Sequence, residues 1–205
     1  MLMNEPLMSE VMHCSIGNCD GTTPVENKSQ LVEYLVAGCK APDEFRLGAE
    51  QEQFVYRAND YRPVTYDGPD PGIRSLLEGM TRFGWESINE NGLPIALRQG
   101  GRSITLEPGG QLESSGAPLV SAHETAEETR AYHRQLSMLS SELGLRFLAL
   151  GHQPKWSRNE LPWMPKQRYR IMRAYMSGRG CLGLDMMQST LRCRLIWISR
   201  AKRTW

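Results

Sequence analysis

The sequence has almost no net charge, few cysteines and no long apolar run. Its 24 lysine and arginine residues balance 23 aspartate and glutamate residues, so the formal net charge is +1. This balance gives no overall field that would favour nucleic acid or an anionic membrane surface. No apolar stretch is long enough to cross a bilayer, and the first residues lack the pattern of a signal peptide. We therefore predict a cytoplasmic protein that binds neither nucleic acid nor membranes.

Metal-binding and disulfide motifs are also scarce. The five cysteines form no CxxC pair and the four histidines form no HExxH pair, which disfavours a disulfide scaffold and a histidine-based zinc site. A structural zinc at Cys14 and Cys19 stays open as a minor alternative. Residues 178–183 match GxGxxG, but they follow a predicted helix rather than a strand, which argues against a dinucleotide site.

Apolar spacing and turn residues predict a mixture of helices and strands. The predicted helices are 29–38, 73–83, a helix from the Ser121–Glu124 capping box to Gly144, and one that starts near Pro165 and runs through Met176. The predicted strands are 45–58, 85–88, 94–99, 103–107, 111–114 and 146–151. This order is not a repeating βα unit. We therefore expect an α+β fold with a mainly antiparallel, curved sheet and helices on one side.

Four glutamates fall on segments predicted as neighbouring strands. Glu50 and Glu52 are two residues apart in one strand, so their side chains point to the same face. Glu107 and Glu113 flank the turn at 108–110, so they can border one cleft. Carboxylates this close repel one another unless a cation lies between them, and Mg²⁺ prefers such oxygen ligands. The pattern predicts a metal and nucleotide platform, although a solvated strand face explains each pair alone.

A basic and aromatic segment follows the predicted platform. It contains Lys155 and Trp156 on a loop, then Arg168 and Arg173 on a predicted helix. An arginine can pair bidentately with a carboxylate or phosphate, and Trp156 can form the wall of a pocket. These residues offer positive charge to an anionic substrate, or else they are solvated bases. A hydrolase with paired carboxylates is a less favoured alternative, because neither acid has an obvious apolar surround that would raise its pKa.

Five segments, in order, resemble the glutamate–cysteine ligases of plants and many bacteria. They are FRLGAEQEQF (45–54), ITLEPGGQLESSGAP (104–118), GHQPKW (151–156), LPWMPKQRYRIMRAYM (161–176) and LGLDMM (182–187). The resemblance implies a glutamine-synthetase-like carboxylate–amine ligase fold, of which this chain would be the N-terminal half only. It also implies that ATP phosphorylates the γ-carboxylate of L-glutamate, and that the amine of L-cysteine then displaces phosphate from γ-glutamyl phosphate. That reaction is the first step of glutathione synthesis.

The mixed composition of residues 1–23, which shows no apolar period, predicts a flexible leader. The resemblance further implies a partial catalytic domain at 24–190 and roles for particular residues. The Mg²⁺ and ATP ligands would be Glu50, Glu52, Glu107 and Glu113; the catalytic residues would be Lys155 and Arg168; and the substrate-binding residues would be Trp156 and Arg173.

Two departures from the family pattern carry expectations of their own. The family reads GTEHEKF where this chain reads GAEQEQF, so Gln51 and Gln53 replace a histidine and a lysine. We expect this loss of positive charge to weaken a phosphate contact. Residues 191–205 (LRCRLIWISRAKRTW) leave the pattern, and we expect an aberrant basic tail that arises from a changed reading frame. The alternative function is accordingly an inactive remnant that retains at most Mg²⁺–nucleotide or glutamate binding.

Overall fold

A computed structural model of the chain describes residues 24–198. These residues fall into two compact units: the larger covers Arg46–Trp197, and the smaller holds the described residues up to Phe45 together with Ile198. The smaller unit contains helix α1 (Lys28–Ala37), which confirms the predicted helix at 29–38. The predicted leader at 1–23, with its two cysteines, lies outside the described residues.

The larger unit is built on a seven-stranded sheet. Its strands are β1 (Arg46–Arg57), β2 (Glu86–Glu90), β3 (Leu93–Gln99), β4 (Arg102–Leu106), β5 (Leu112–Ser115), β6 (Leu145–Leu148) and β7 (Cys193–Ile198). Six strands follow the order β2-β3-β4-β5-β1-β6 with antiparallel neighbours, and β7 also pairs with β1. The antiparallel sheet is therefore confirmed. Strand β6 is shorter than predicted, and β7 was not predicted as a strand.

Four helices belong to the larger unit. They are α2 (Ile73–Met80), which continues as a 3₁₀ turn through Phe83, α3 (Ala122–Leu143), α4 (Gln167–Ser177) and α5 (Gly183–Ser189). The predicted capping box opens α3, because Ser121 Oγ accepts from the Glu124 amide and Glu124 Oε2 accepts from the Ser121 amide. Gly144, with a φ of 65°, ends this helix as predicted. Among residues 24–198, no helix is long and apolar enough to span a membrane.

The main core lies between one face of the sheet and helices α2 and α3. Its fully buried side chains from α2 are Ile73, Leu76, Leu77 and Met80, and those from the strands include Leu97, Ile104, Leu106 and Leu112. Burying each such side chain stabilises the fold by roughly 1.5–3 kcal/mol. Because side chains alternate along a strand, the residues between these strand positions point to the opposite face. That opposite face carries the glutamates.

Candidate functional site

Glu52 and Glu113 face each other across strands β1 and β5. The Glu52 amide donates to the Arg192 carbonyl at 2.9 Å, away from β5, so the two glutamates form a non-hydrogen-bonded pair. In such pairs the Cα atoms are only about 4.5 Å apart and the side chains approach closely. Like charges at this position repel each other. The strand register therefore brings two of the four predicted metal ligands together.

Glu107 joins this pair from the end of β4. Burial raises the pKa of the Glu107 carboxyl, and repulsion from Glu113 and Glu52 raises it further, against the opposing effect of nearby cations. Burial likewise raises the pKa of Glu52, and Glu113 adds to this effect. The Thr105 hydroxyl donates to Glu113 Oε2 at 2.8 Å, which fixes the central carboxylate. Three carboxylates are thus electrostatically coupled on one face of the sheet.

Glu50, the fourth predicted ligand, lies against strand β7. Arg194 Nη2 is 2.6 Å from Glu50 Oε2, and that buried oxygen has no hydrogen-bond partner of good geometry, so the contact is an ion pair only. The Arg192 amide also donates to Glu52 Oε2 at 2.9 Å. Strand β7 and the residue before it, Arg192, thus place a positive charge and an amide donor beside the two glutamates of β1.

The donor chemistry of this face fits a hard divalent cation. Carboxylates that raise one another's pKa are stabilised by a cation between them, and Glu50 Oε2 accepts no hydrogen bond although it forms an ion pair with Arg194. Within residues 24–198, no group of three or more acidic, histidine or cysteine side chains is already drawn together closely enough to hold a metal ion. The face therefore has the right ligand types in a spread arrangement.

The predicted Arg168 reaches the acidic face from helix α4. Its Nη2 lies 3.8 Å from Glu107 Oε1 and donates to the Tyr169 hydroxyl at 3.0 Å. Beside it, Lys166 is only 8% exposed and donates from Nζ to the Leu106 carbonyl at 2.8 Å. Burial lowers the pKa of Lys166 to about 8. Sequence reasoning missed Lys166 and Tyr169 as site residues, because only the tertiary structure shows that they are buried against β4.

An open cleft of about 470 Å³ lies along the N-terminal part of α4. Its lining holds three cations, Lys166, Arg170 and Arg173, and no acidic side chain. The Arg173 guanidinium is 4.7 Å from the centre of the Trp163 ring, a cation–π distance that orients it over the aromatic wall. The structure thus places the predicted Arg173 in a positively charged cleft suited to an anionic group.

Lys155 and Trp156 lie further along the glutamate face of β1. Trp156 packs against the buried Phe54 and Tyr56, which alternate in step with Glu50 and Glu52. Trp156 Nε1 donates to the Tyr61 carbonyl at 2.8 Å, and Lys155 Nζ is 4.5 Å from the centre of the Trp156 ring. These contacts pack Trp156 against the part of β1 that follows the glutamates and leave Lys155 exposed.

The substituted glutamines lie on the other face. Gln51 Nε2 donates to Thr129 Oγ1 at 3.3 Å, and Gln51 Oε1 lies 2.9 Å from His133 Nε2, both on α3. Alternation turns Gln53 in the same direction. These side chains therefore point away from the glutamate face, and the expected weakening of a phosphate contact stays a prediction.

The turn between β4 and β5 is tied to the segment that leads into β7. Gln111 is 1% exposed, accepts from the Gly109 amide at 2.9 Å, and donates from Nε2 to the Gln188 and Thr190 carbonyls at 3.2 and 2.9 Å. A Cβ at Gly109 would lie 2.5 Å from the Gln188 carbonyl oxygen. Glycine is thus required here for packing against that segment.

Comparison with known proteins identifies relatives of this chain. Residues 46–195 match the family described as Glutamate-cysteine ligase family 2 (GCS2). The chain is 47% identical over 164 residues to the chloroplastic glutamate–cysteine ligase of Arabidopsis thaliana, and equally so to chloroplastic glutamate–cysteine ligase A of Oryza sativa subsp. japonica. The chloroplastic ligase of Medicago truncatula is 45% identical. These matches cover 80% of this chain but only 31–32% of the relatives, so the chain spans about a third of their length.

The relatives correct the predicted location. Those described above are named as chloroplastic, and this contradicts the cytoplasmic prediction. That prediction rested on charge balance and on the lack of a secretory pattern, and neither property identifies a compartment. The family match also extends to residue 195, beyond the boundary at 190, although the predicted domain boundaries themselves stay predictions.

Proposed function

The chain belongs to glutamate-cysteine ligase family 2, and we propose that it contributes to ATP-dependent ligation of L-glutamate to L-cysteine. ATP would phosphorylate the γ-carboxylate of glutamate, releasing ADP. The cysteine amine would then attack the γ-glutamyl phosphate, releasing phosphate and forming the amide. The observation that supports this proposal is the coupled group Glu52, Glu107 and Glu113, with Arg168 beside it. We also propose that the sheet belongs to the glutamine-synthetase-like carboxylate–amine ligase fold.

The glutamate face is proposed to hold the divalent cation and the nucleotide phosphates. Phosphoryl transfer depends mainly on positioning and on neutralising charge, and bound Mg²⁺ would supply that neutralisation. The residues that would hold it are Glu50, Glu52, Glu107 and Glu113. Arg168 is close enough to Glu107 to place a second positive charge beside the phosphates, and Arg168 is the residue we propose to stabilise the transferred group.

The substrate side of the site is proposed to use the basic residues near α4. Arg173 in the positively charged cleft would bind a carboxylate group of the amino-acid substrate. Trp156 would form a wall of the substrate pocket on the β1 side, since it packs against the cluster that contains Phe54 and Tyr56 of that strand. Lys155 is proposed as a catalytic residue, because its exposed ammonium lies on this same side and can approach an anionic intermediate.

The first prediction tests binding and turnover together. Calorimetric titration of the purified chain with Mg²⁺–ATP and L-glutamate should give saturable heat, and an assay for γ-glutamylcysteine should detect product. The Glu113→Gln variant should bind Mg²⁺–ATP at least about tenfold more weakly, because it removes the central carboxylate of the coupled group. Glu127→Gln, an exposed change on α3, is the matched control and should bind as the unaltered chain does.

The outcomes separate the two functions that the sequence leaves open. Heat without product supports the remnant that binds nucleotide or glutamate but does not ligate them. Product formation supports the ligase. Absence of both, or equal affinities for Glu113→Gln and Glu127→Gln, contradicts the proposed platform.

A further inference from the structure

Strand β7 lies against the same carboxylates that are proposed to hold the divalent cation. Its Arg194 guanidinium is 2.6 Å from Glu50 Oε2, and the Arg192 amide donates to Glu52 Oε2 at 2.9 Å. The Glu52 amide returns a hydrogen bond to the Arg192 carbonyl. One short segment therefore engages both glutamates of β1 at once.

We propose that β7 is an autoinhibitory strap, in which the tethered guanidinium of Arg194 competes with a divalent cation for Glu50 and Glu52. This inference rests on the proposed function, because it takes the two glutamates as metal ligands. A carboxylate oxygen that contacts a guanidinium at 2.6 Å has no room for a metal ion on the same lone pair. Metal binding at Glu50 therefore requires the Arg194 side chain to leave.

The side-chain contact that a cation must displace is weak. The Arg194 side chain is 51% exposed, so solvent screens the guanidinium side of the ion pair. Ion pairs at exposed side chains change an equilibrium by up to roughly fivefold. A divalent cation carries twice the charge of Arg194 and gains ligands from the glutamates that repel each other. The competition is therefore between contacts of similar strength.

Release of β7 would free both carboxylates together. Glu52 loses its donor from the Arg192 amide when the strand departs. The freed oxygen then faces Glu113 without a compensating partner on β7. Cation binding and β7 docking are thus alternative ways to neutralise one acidic face.

Titration with Mn²⁺ alone, followed by electron paramagnetic resonance of the free ion, tests the competition directly. The Arg194→Gln variant should bind Mn²⁺ up to about fivefold more tightly than the unaltered chain. Arg194→Lys, which keeps the charge, should stay close to the unaltered chain. The matched control is Arg98→Gln, which removes an exposed guanidinium from an ion pair with Glu86 at the β2–β3 edge and should leave the affinity unchanged.

Hydrogen exchange of the unaltered chain gives a second measurement that needs no variant. Mn²⁺ should accelerate amide exchange in residues 192–196, because the strap leaves β1, while exchange in α3 stays constant. Equal Mn²⁺ affinities for Arg194→Gln and the unaltered chain, with unchanged exchange in β7, overturn the strap and leave the metal platform standing. Absence of Mn²⁺ binding in every variant overturns both the strap and the platform.

Discussion

The pair Glu52 and Glu113 shows which part of the site a sequence predicts and which part it does not. Alternation along β1 predicted that Glu50 and Glu52 share a face, since that depends only on strand geometry. The register that sets Glu113 opposite Glu52 depends on how the turn before β5 closes, which alternation does not determine. The buried Lys166 was missed for a related reason, because burial of a lysine is a tertiary property. Single residues were therefore predictable where local geometry decides their position.

We predict that the buried Lys166 makes the stability of the fold depend on pH. Its pKa of about 8 in the fold lies below the ordinary value of 10.5, so between these values the unfolded chain binds more protons than the folded one. The free energy of unfolding should therefore rise with pH across this window, as the ammonium loses its proton. Lys166→Met should be more stable than the unaltered chain at pH 7 by roughly 1–3 kcal/mol, and the difference should shrink by about pH 10.

Urea denaturation at several pH values measures this difference. The variant leaves the Leu106 carbonyl with its hydrogen bond from the Tyr169 hydroxyl, so no acceptor is orphaned. Lys155→Met, at an exposed position, is the matched control for the loss of a lysine. A stability difference between Lys166→Met and the unaltered chain that does not change from pH 7 to 10 would show that burial of the charge costs nothing.

Local sequence signals predicted the helices that have a clear cap, a terminal glycine or a single apolar face. Helix α3 was predicted from its capping box and its terminal glycine, and α2 from a single apolar face that the structure buries completely. Helix α5 and strand β7 were missed, because neither has a clear apolar period. Their positions depend instead on contacts with distant residues, such as Gln111 and Glu52.

We predict that the N-cap of helix α3 stabilises the fold. Ser121→Ala removes the hydroxyl that accepts from the Glu124 amide and should lower the free energy of unfolding by about 1 kcal/mol. Ser141→Ala, in the exposed last turns of the same helix, keeps the cap and should change stability by less than about 0.5 kcal/mol. Thermal denaturation followed by circular dichroism compares the two variants. Equal losses in both would mean that the cap does not stabilise α3.

For the molecule as a whole, the sequence predicted the family correctly and the compartment incorrectly. Five ordered segments identified the ligase family, which the match over residues 46–195 confirms. The composition of a folded domain does not determine its compartment. The chloroplastic relatives contradict the prediction of a cytoplasmic location. The α+β class and the antiparallel sheet followed from the order of elements, whereas the pairing of β7 with β1 did not.

We predict that copies of the chain associate through strand β7. Among the described residues β7 pairs only with β1, and its Leu195 is 53% exposed, so an apolar strand edge is open to a second copy. The purified chain should associate as its concentration rises, and Leu195→Lys should reduce this association at least severalfold. Light scattering after size-exclusion chromatography measures it. Leu182→Lys, at an exposed position outside the strands, is the control, and an equal reduction there would argue against pairing through β7.

The buried amide of Gln111 determines where the strap can pivot. It anchors the Thr190 carbonyl, and the next residue, Leu191, is buried and donates its amide to the Gly151 carbonyl. The anchored part of the chain therefore ends just before Arg192. The segment that would move, residues 192–198, spans roughly 20 Å when extended. The Gln111 carbonyl also accepts from the Glu107 amide, so the residue that anchors the strap belongs to the same turn that positions Glu107. Movement of residues 192–198 would thus begin next to the glutamates that the strap covers.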